Sequence, residues 1–131
     1  MKTIPVTCAL IVKEGQLLCA QRSEFMTLPL KWELPGGKIE PNESEEECLQ
    51  REIKEELGLS IKILKRLEPN LHAIQSDKKI LLIPFLCEIM DGTLLLAEHK
   101  EVVWVDFQKL MELDWADPDV PIIKRFIQLQ P

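Results

Sequence analysis

Hydrophobic positions fall in short blocks along most of the chain and switch to helical spacing in its middle. Thr3–Val12 is apolar enough for a buried strand, and Leu17–Gln21 reads as its hairpin partner across the turn Lys13-Glu14-Gly15-Gln16. Ser23–Lys31 is a loop carrying Pro29; Trp32-Glu33-Leu34 is a short strand running into Pro35-Gly36-Gly37, with Lys38-Ile39-Glu40 as a further short strand. Beyond Ser44 the period changes: Leu49, Ile53 and Leu57 recur every four residues and share one helical face. Ser44 with Glu47 at N3 forms a capping box, and Gly58 supplies the left-handed stop. Ser60–Pro69 and Lys79–Met90 read as strands, Asp91-Gly92 as a hairpin turn, and Glu101–Val105 as a strand of alternating character. Phe107–Leu113 forms a short helix, and Pro118–Leu129 a closing helix with Ile122, Ile123, Phe126 and Leu129 on its apolar side. Many strands with one helix in the middle and one at the end predict an α+β fold, an α/β/α sandwich around a central mixed sheet.

The 131 residues suit a single domain, 1–131, that buries about two-thirds of its unfolded surface. No apolar run approaches the roughly 18 residues that span a membrane, and Met1-Lys2-Thr3-Ile4-Pro5 leads into no signal-peptide pattern. A cytoplasmic location and no membrane partner are therefore expected. Cys8, Cys19, Cys48 and Cys87 show no C-x-x-C spacing and read as reduced, buried thiols rather than a zinc site. The net charge of −6 argues against a nucleic acid polymer as partner, which needs a basic footprint. An anionic substrate would need local positive charge from a metal and a few basic side chains.

The chemistry concentrates in Gly37–Leu59. Glu52, Glu55 and Glu56 stand at i, i+3 and i+4, on one helical face, where like charges oppose one another by roughly 0.2–0.5 kcal/mol per pair. One reading is a solvated acidic face. The other is a hard cation beside the glycine turn, and oxygen-only ligands fit Mg²⁺ or Mn²⁺, which also binds substrate phosphates.

The ungapped set Gly37, Glu43, Arg51, Glu52, Ile53, Glu55, Glu56, Gly58 and Leu59 resembles the signature box of the Nudix hydrolases. That resemblance implies metal ligation by Glu52, Glu55, Glu56 and the backbone carbonyl of Gly36. Glu52 and Glu56 form the best geometric pair for one ion, and Glu55 acts through water or on a second ion. Gly37, Glu43, Arg51 and Gly58 are the structural part of the box; Arg51 pairs with Glu43 or Glu47, or else contacts phosphate. Lys38 either touches phosphate or is a solvated lysine. The family's reaction is attack of water on a pyrophosphate bridge, with a carboxylate taking the proton. Glu52 and Glu98 are the candidates for that role, and Glu98 also for the metal; Glu101 competes with it.

Leu18-Cys19-Ala20-Gln21-Arg22, Trp32–Lys38 and Asp114–Ile123 further resemble the MutT-type branch, which contains 8-oxo-dGTP diphosphatases and CTP pyrophosphohydrolases. The branch implies that Arg22 contacts phosphate and that Asp119 reads the base, against the plainer role of capping the last helix. Well-known MutT-type enzymes have asparagine there. An ionised aspartate only accepts, so it suits an N–H donor such as N7 of 8-oxoguanine or the amine of cytosine. Trp32 and Trp115 are the leading stacking candidates if they are not core residues, and His72 is a further candidate near the base. The resemblance implies a Mg²⁺-dependent nucleoside triphosphate pyrophosphohydrolase, monomer or homodimer. Its leading substrate would be 8-oxo-dGTP, in nucleotide-pool sanitation; CTP or a modified dCTP comes second. A non-catalytic nucleotide-sensing domain is the rival of another class.

Overall fold

The computed structural model describes residues 2–130. β1 (Lys2–Lys13) is the organising strand. It runs parallel to β7 (Lys78–Gly92) from Lys2↔Lys78 to Ile11↔Cys87, and antiparallel to β4 (Gly36–Lys38) over Val6–Cys8. At its end it forms a tight hairpin with β2 (Gln16–Gln21), which pairs antiparallel with β3 (Trp32–Glu33) and β8 (Glu101–Asp106). β7 pairs antiparallel with β5 (Leu59–Arg66) and β6 (Asn70–Gln75), so the sheet is mixed.

Alternation along β1 separates two cores. Cys8 and Leu10 point to one side, where Leu110, Trp115, Ile122, Ile123 and Phe126 pack; Ala9 and Ile11 point to the other, against Leu49, Ile53 and Leu57. The first set comes from the C-terminal segment and α2 (Val120–Gln128), the second from α1 (Glu45–Leu57), so a helix covers each face. The expected α/β/α sandwich is what forms. The four cysteines are free and buried. No described helix is long and apolar enough to cross a membrane.

α1 begins and ends as its sequence requires. The Ser44 hydroxyl accepts from the Glu47 amide at 3.1 Å, and the Glu47 carboxylate accepts from the Ser44 amide at 2.9 Å. Gly58 closes the helix at φ 70° and donates to the Lys54 carbonyl.

Several elements differ from expectation. β6 lies outside the strands that the hydrophobic pattern predicts, because Asn70–Gln75 is largely exposed and carries no core-facing alternation. Asp91-Gly92 is not a hairpin turn. Gly92 is the last residue of β7, at φ 107°, paired with Leu59, and a Cβ there would strike the Gly58 carbonyl. The short strand expected at Lys38–Glu40 lies earlier, at Gly36–Lys38. Phe107–Glu112 is a 3-10 segment, and a 3-10 turn at Asp117–Asp119 precedes α2. Leu129 falls beyond α2 and is 69% exposed, outside the apolar face assigned to it.

Candidate active site

A cleft of about 890 Å³ opens where β1, β4, the end of α1 and the loop before β8 meet. Its wall includes Arg22, Glu33, Gly36, Gly37, Lys38, Glu52, Glu56, His72, Glu98, His99 and Asp119. The family box and the two flanking motifs thus converge on one cavity. Glu55 does not join them: its side chain is 60% exposed and reaches Arg51 at 3.3 Å. Glu101 is also exposed at the start of β8 and is not part of the wall, so Glu98 is the loop carboxylate facing the cleft.

The acidic end is held from several directions. Arg51 Nε and Nη2 grip Glu43 at 2.6 and 2.9 Å, and Nη1 reaches Glu52 at 2.8 Å. Arg51 therefore ties the loop before α1 to the helix and orients Glu52. The strong pairing holds the Glu43 carboxyl down at about 2, mainly through its hydrogen bond from Arg51. On the opposite side, Gly37 leaves room for Glu52: a Cβ at Gly37 would lie 2.5 and 2.6 Å from the two Glu52 oxygens. Cys48 and Thr7 both donate to the Gly37 carbonyl, which pins this strand to α1 and β1.

Glu56 is buried at the C-terminal end of α1. Burial pushes its carboxyl upward, and the nearby negative charge of Glu52 adds to the effect, with Glu33 and Glu98 contributing. Its Oε2 is buried without a hydrogen-bond partner. The loop before β8 is stapled to the same place, since Leu95 donates to the Leu57 carbonyl, Ala97 to the Glu56 carbonyl and Lys100 to the Gln21 carbonyl. That fixes Glu98 and His99 opposite α1.

These groups fit a divalent cation. An orphaned carboxylate oxygen, a second carboxylate cradled by a glycine and a third from the facing loop give hard oxygen donors of net negative charge. Among the described residues no three His, Cys, Asp or Glu side chains are grouped closely enough to hold an ion by themselves, so water and substrate oxygens would have to complete its shell. Such an open donor set suits Mg²⁺, which keeps waters and accepts substrate oxygens.

Asp119 lines the same cleft. It is 6% exposed and sits before α2, but it makes no capping bond there. Its Oδ2 instead accepts from the Leu34 amide at 2.8 Å. The chain segment before α2 is laced to β3, with Trp32 donating to Asp114 and Ala116 donating to Trp32, and this lacing carries Asp119 to the cleft. Burial raises the Asp119 carboxyl to about 7, against the opposing effect of the Leu34 hydrogen bond.

The aromatic candidates fall outside. Trp115 is buried, with its Nε1–H donating to the Leu110 carbonyl at 2.7 Å, and it packs in the core. Trp32 packs against the same core, and neither lines the cleft. His72 does line it, beside Ile80 and Leu82. Arg22 lines it too, but its guanidinium is already engaged: Nε donates to the Thr27 carbonyl at 2.6 Å, Nη2 to Thr27 Oγ1 at 3.0 Å and Nη1 to Glu33 at 2.6 Å. Glu33 and His99 were not singled out in the sequence as site residues. Glu33 is a carboxylate inside an otherwise apolar short strand, which is a readable signal; a lone histidine beside Glu98 is not.

A family model described as the NUDIX domain matches residues 1–126. A CTP pyrophosphohydrolase of Escherichia coli is 32% identical over 130 residues, covering 99% of this chain and 96% of that protein. A candidate 8-oxo-dGTP diphosphatase of Mycobacterium tuberculosis is 32% identical over 114 residues, covering 87% of this chain and 81% of its own length. The crystal structure of a MutT protein from Methanosarcina mazei superposes with a TM-score of 0.85 at 30% identity, covering 96% of this chain and 94% of that one. With a family model matching nearly the whole chain and the sandwich shared with its structural neighbours, the chain belongs to the Nudix family of hydrolases.

Proposed function

We propose that the protein is a Mg²⁺-dependent pyrophosphohydrolase that converts a nucleoside triphosphate and water to the monophosphate and pyrophosphate. The observation that carries this reading is that Glu52, Glu56 and Glu98 line the same cleft as the buried acceptor Asp119. The carboxylates suit a cation-bound phosphate tail and the buried acceptor suits a base edge.

When bound, the divalent ion neutralises phosphate oxygens and acidifies the attacking water. Glu52, Glu56, Glu98 and the Gly36 carbonyl are the groups that would hold it, with Glu55 acting from outside the cleft. Arg51 fixes the Glu52 carboxylate, and Lys38 at the rim meets the phosphate tail. The new bond joins the water oxygen to phosphorus, and a P–O bond of the α–β bridge breaks, releasing pyrophosphate. Glu98 accepts the water proton, because Glu52 is engaged by Arg51 and Glu101 lies away from the cleft. Arg22 meets phosphate only if it trades a present partner for it; otherwise it serves to hold the Thr27 loop against Glu33.

For the base, Asp119 in its ionised form takes an N–H donor, which the amine of cytosine offers. A relative matched over nearly its whole length is named for CTP, which supports taking CTP or a modified dCTP as the first reading. This reverses the order implied by the motifs alone. 8-oxo-dGTP is the second reading, favoured by an Asp119 carboxyl near 7, which can also donate to a purine carbonyl when protonated. Pyrophosphate release from each triphosphate, with and without Mg²⁺, tests the proposal. Asp119→Asn should shift the ratio of CTP to 8-oxo-dGTP turnover, and an unchanged ratio would remove Asp119 from base selection.

A further inference from the structure

We propose that His99 is a positioning residue that braces the cation-facing carboxylate Glu56 and the Glu33–Arg22 pair through one imidazole nitrogen. The inference rests on the metal-site reading above and deepens it.

The His99 side chain is 2% exposed. Its Nε2 lies 2.8 Å from Glu33 Oε2 and 3.8 Å from Glu56 Oε1. A carboxylate only accepts, so Nε2 carries the proton and donates to Glu33. Glu33 is held ionised: burial opposes its charge, but the hydrogen bond from His99 and the charge of Arg22 outweigh burial and lower its pKa. The other Glu33 oxygen receives Arg22 Nη1, and Arg22 in turn holds both the carbonyl and the hydroxyl of Thr27. A hydrogen-bonded series therefore runs from the loop after β2 through Arg22 and Glu33 to His99, whose Nε2 stands 3.8 Å from Glu56 Oε1. Glu56 itself lines the cleft, and its Oε2 is buried without a partner.

Packing explains why the imidazole cannot drift. The backbone on either side of His99 is stapled by Ala97 to Glu56 and by Lys100 to Gln21. The imidazole stands between β3 and the end of α1, and its Nδ1 is buried without a partner. Here Nε2–H is bonded to Glu33 and wedged beside Glu56, so one group borders two carboxylates that line the same cleft. Outer partners of metal-binding groups characteristically change metal affinity by 10–100-fold when removed.

The test compares His99→Gln with His99→Asn in the full chain. Both substitutions are polar and fill less space than imidazole, but the glutamine amide reaches roughly where Nε2 lies and the asparagine amide falls short. Mn²⁺ affinity is measured by calorimetry without nucleotide, KM and kcat are measured for CTP with Mg²⁺, and melting temperature is recorded for each. The expected result is Mn²⁺ affinity about 10–100-fold weaker in His99→Asn, with lower kcat and raised KM, and values within a few-fold of wild type in His99→Gln. Two folded variants with equal Mn²⁺ affinity, whether both normal or both weakened, overturn the positioning role while leaving the metal site intact. Wild-type protein that binds no Mn²⁺ overturns the metal-site reading and this inference with it.

Discussion

Gly37→Ala separates the catalytic geometry from the fold. The backbone at Gly37 is not in a left-handed conformation, so alanine introduces no φ strain. Its Cβ, however, would lie 2.5 Å from Glu52 Oε2, where ordinary contact begins at 3.4 Å. The obstacle is the end of a flexible side chain, and the carboxylate must retreat by about 1 Å, a displacement on the scale that costs about 10²-fold in rate. The fold loses less. An off-rotamer Glu52 costs of order 0.5–1.5 kcal/mol, and weakening its largely buried pair with Arg51 adds about 1–2 kcal/mol. A melting temperature lowered by only several degrees should accompany the rate loss. Gly36→Ala makes the contrast, because its Cβ would collide with the Thr7 carbonyl and lie 2.7 Å from Cys8 Cα, both backbone atoms of the central strand. That variant should lose several kcal/mol of stability by strand displacement, the scale of severe backbone or overpacking damage. Pyrophosphate release and thermal melts on both variants supply the comparison. A folded Gly37→Ala enzyme with wild-type kcat would refute the claim that this glycine exists to seat Glu52.

Three further outcomes are expected. The Asp119 carboxyl is raised from 3.8 to about 7 in the folded state, so between those values the native protein binds more protons than the unfolded chain. Its contribution is most favourable in acid and declines as pH rises through about 7, by roughly 1.4 kcal/mol per pKa unit; denaturant titrations should show wild type losing stability relative to Asp119→Asn over that window, and a pH-independent difference would contradict it. Ser44→Ala breaks the capping box at the start of α1 and should cost about 1 kcal/mol with little change in kcat, as read by urea unfolding and steady-state kinetics. Ile53→Ala opens a cavity under α1 at a position with 0% exposure and should cost about 2–5 kcal/mol in the same unfolding assay.

Local physics made much of the fold readable from the chain. The capping box, the four-residue spacing of Leu49, Ile53 and Leu57, and Gly58 each act within a few residues, and α1 forms as they require. Thr3–Val12 and Lys79–Met90 carry the apolar character that strands buried at the sheet centre need. The missed elements lack such a signature: β6 depends on pairing with β7 rather than on a buried face, and Gly92 answers to a strand neighbour rather than to a turn. The site follows the same division. Glu52 and Glu56 were legible from helical spacing, since i and i+4 set their shared face. The engagement of Arg22 by Glu33 and Thr27, and the meeting of His99 with Glu33 and Glu56, depend on contacts between segments far apart in sequence. Trp115 was ambiguous for the same reason: only the packed structure shows its N–H satisfied inside the core.

The central claim is that a carboxylate-held divalent ion in this cleft drives cleavage of a triphosphate tail. Its most direct test is product analysis of CTP and 8-oxo-dGTP incubated with wild-type and Glu52→Gln protein, in Mg²⁺ and after chelation. Monophosphate and pyrophosphate appearing only with wild-type protein and Mg²⁺ is the predicted result; turnover that survives the chelator, or that Glu52→Gln leaves intact, would contradict the account.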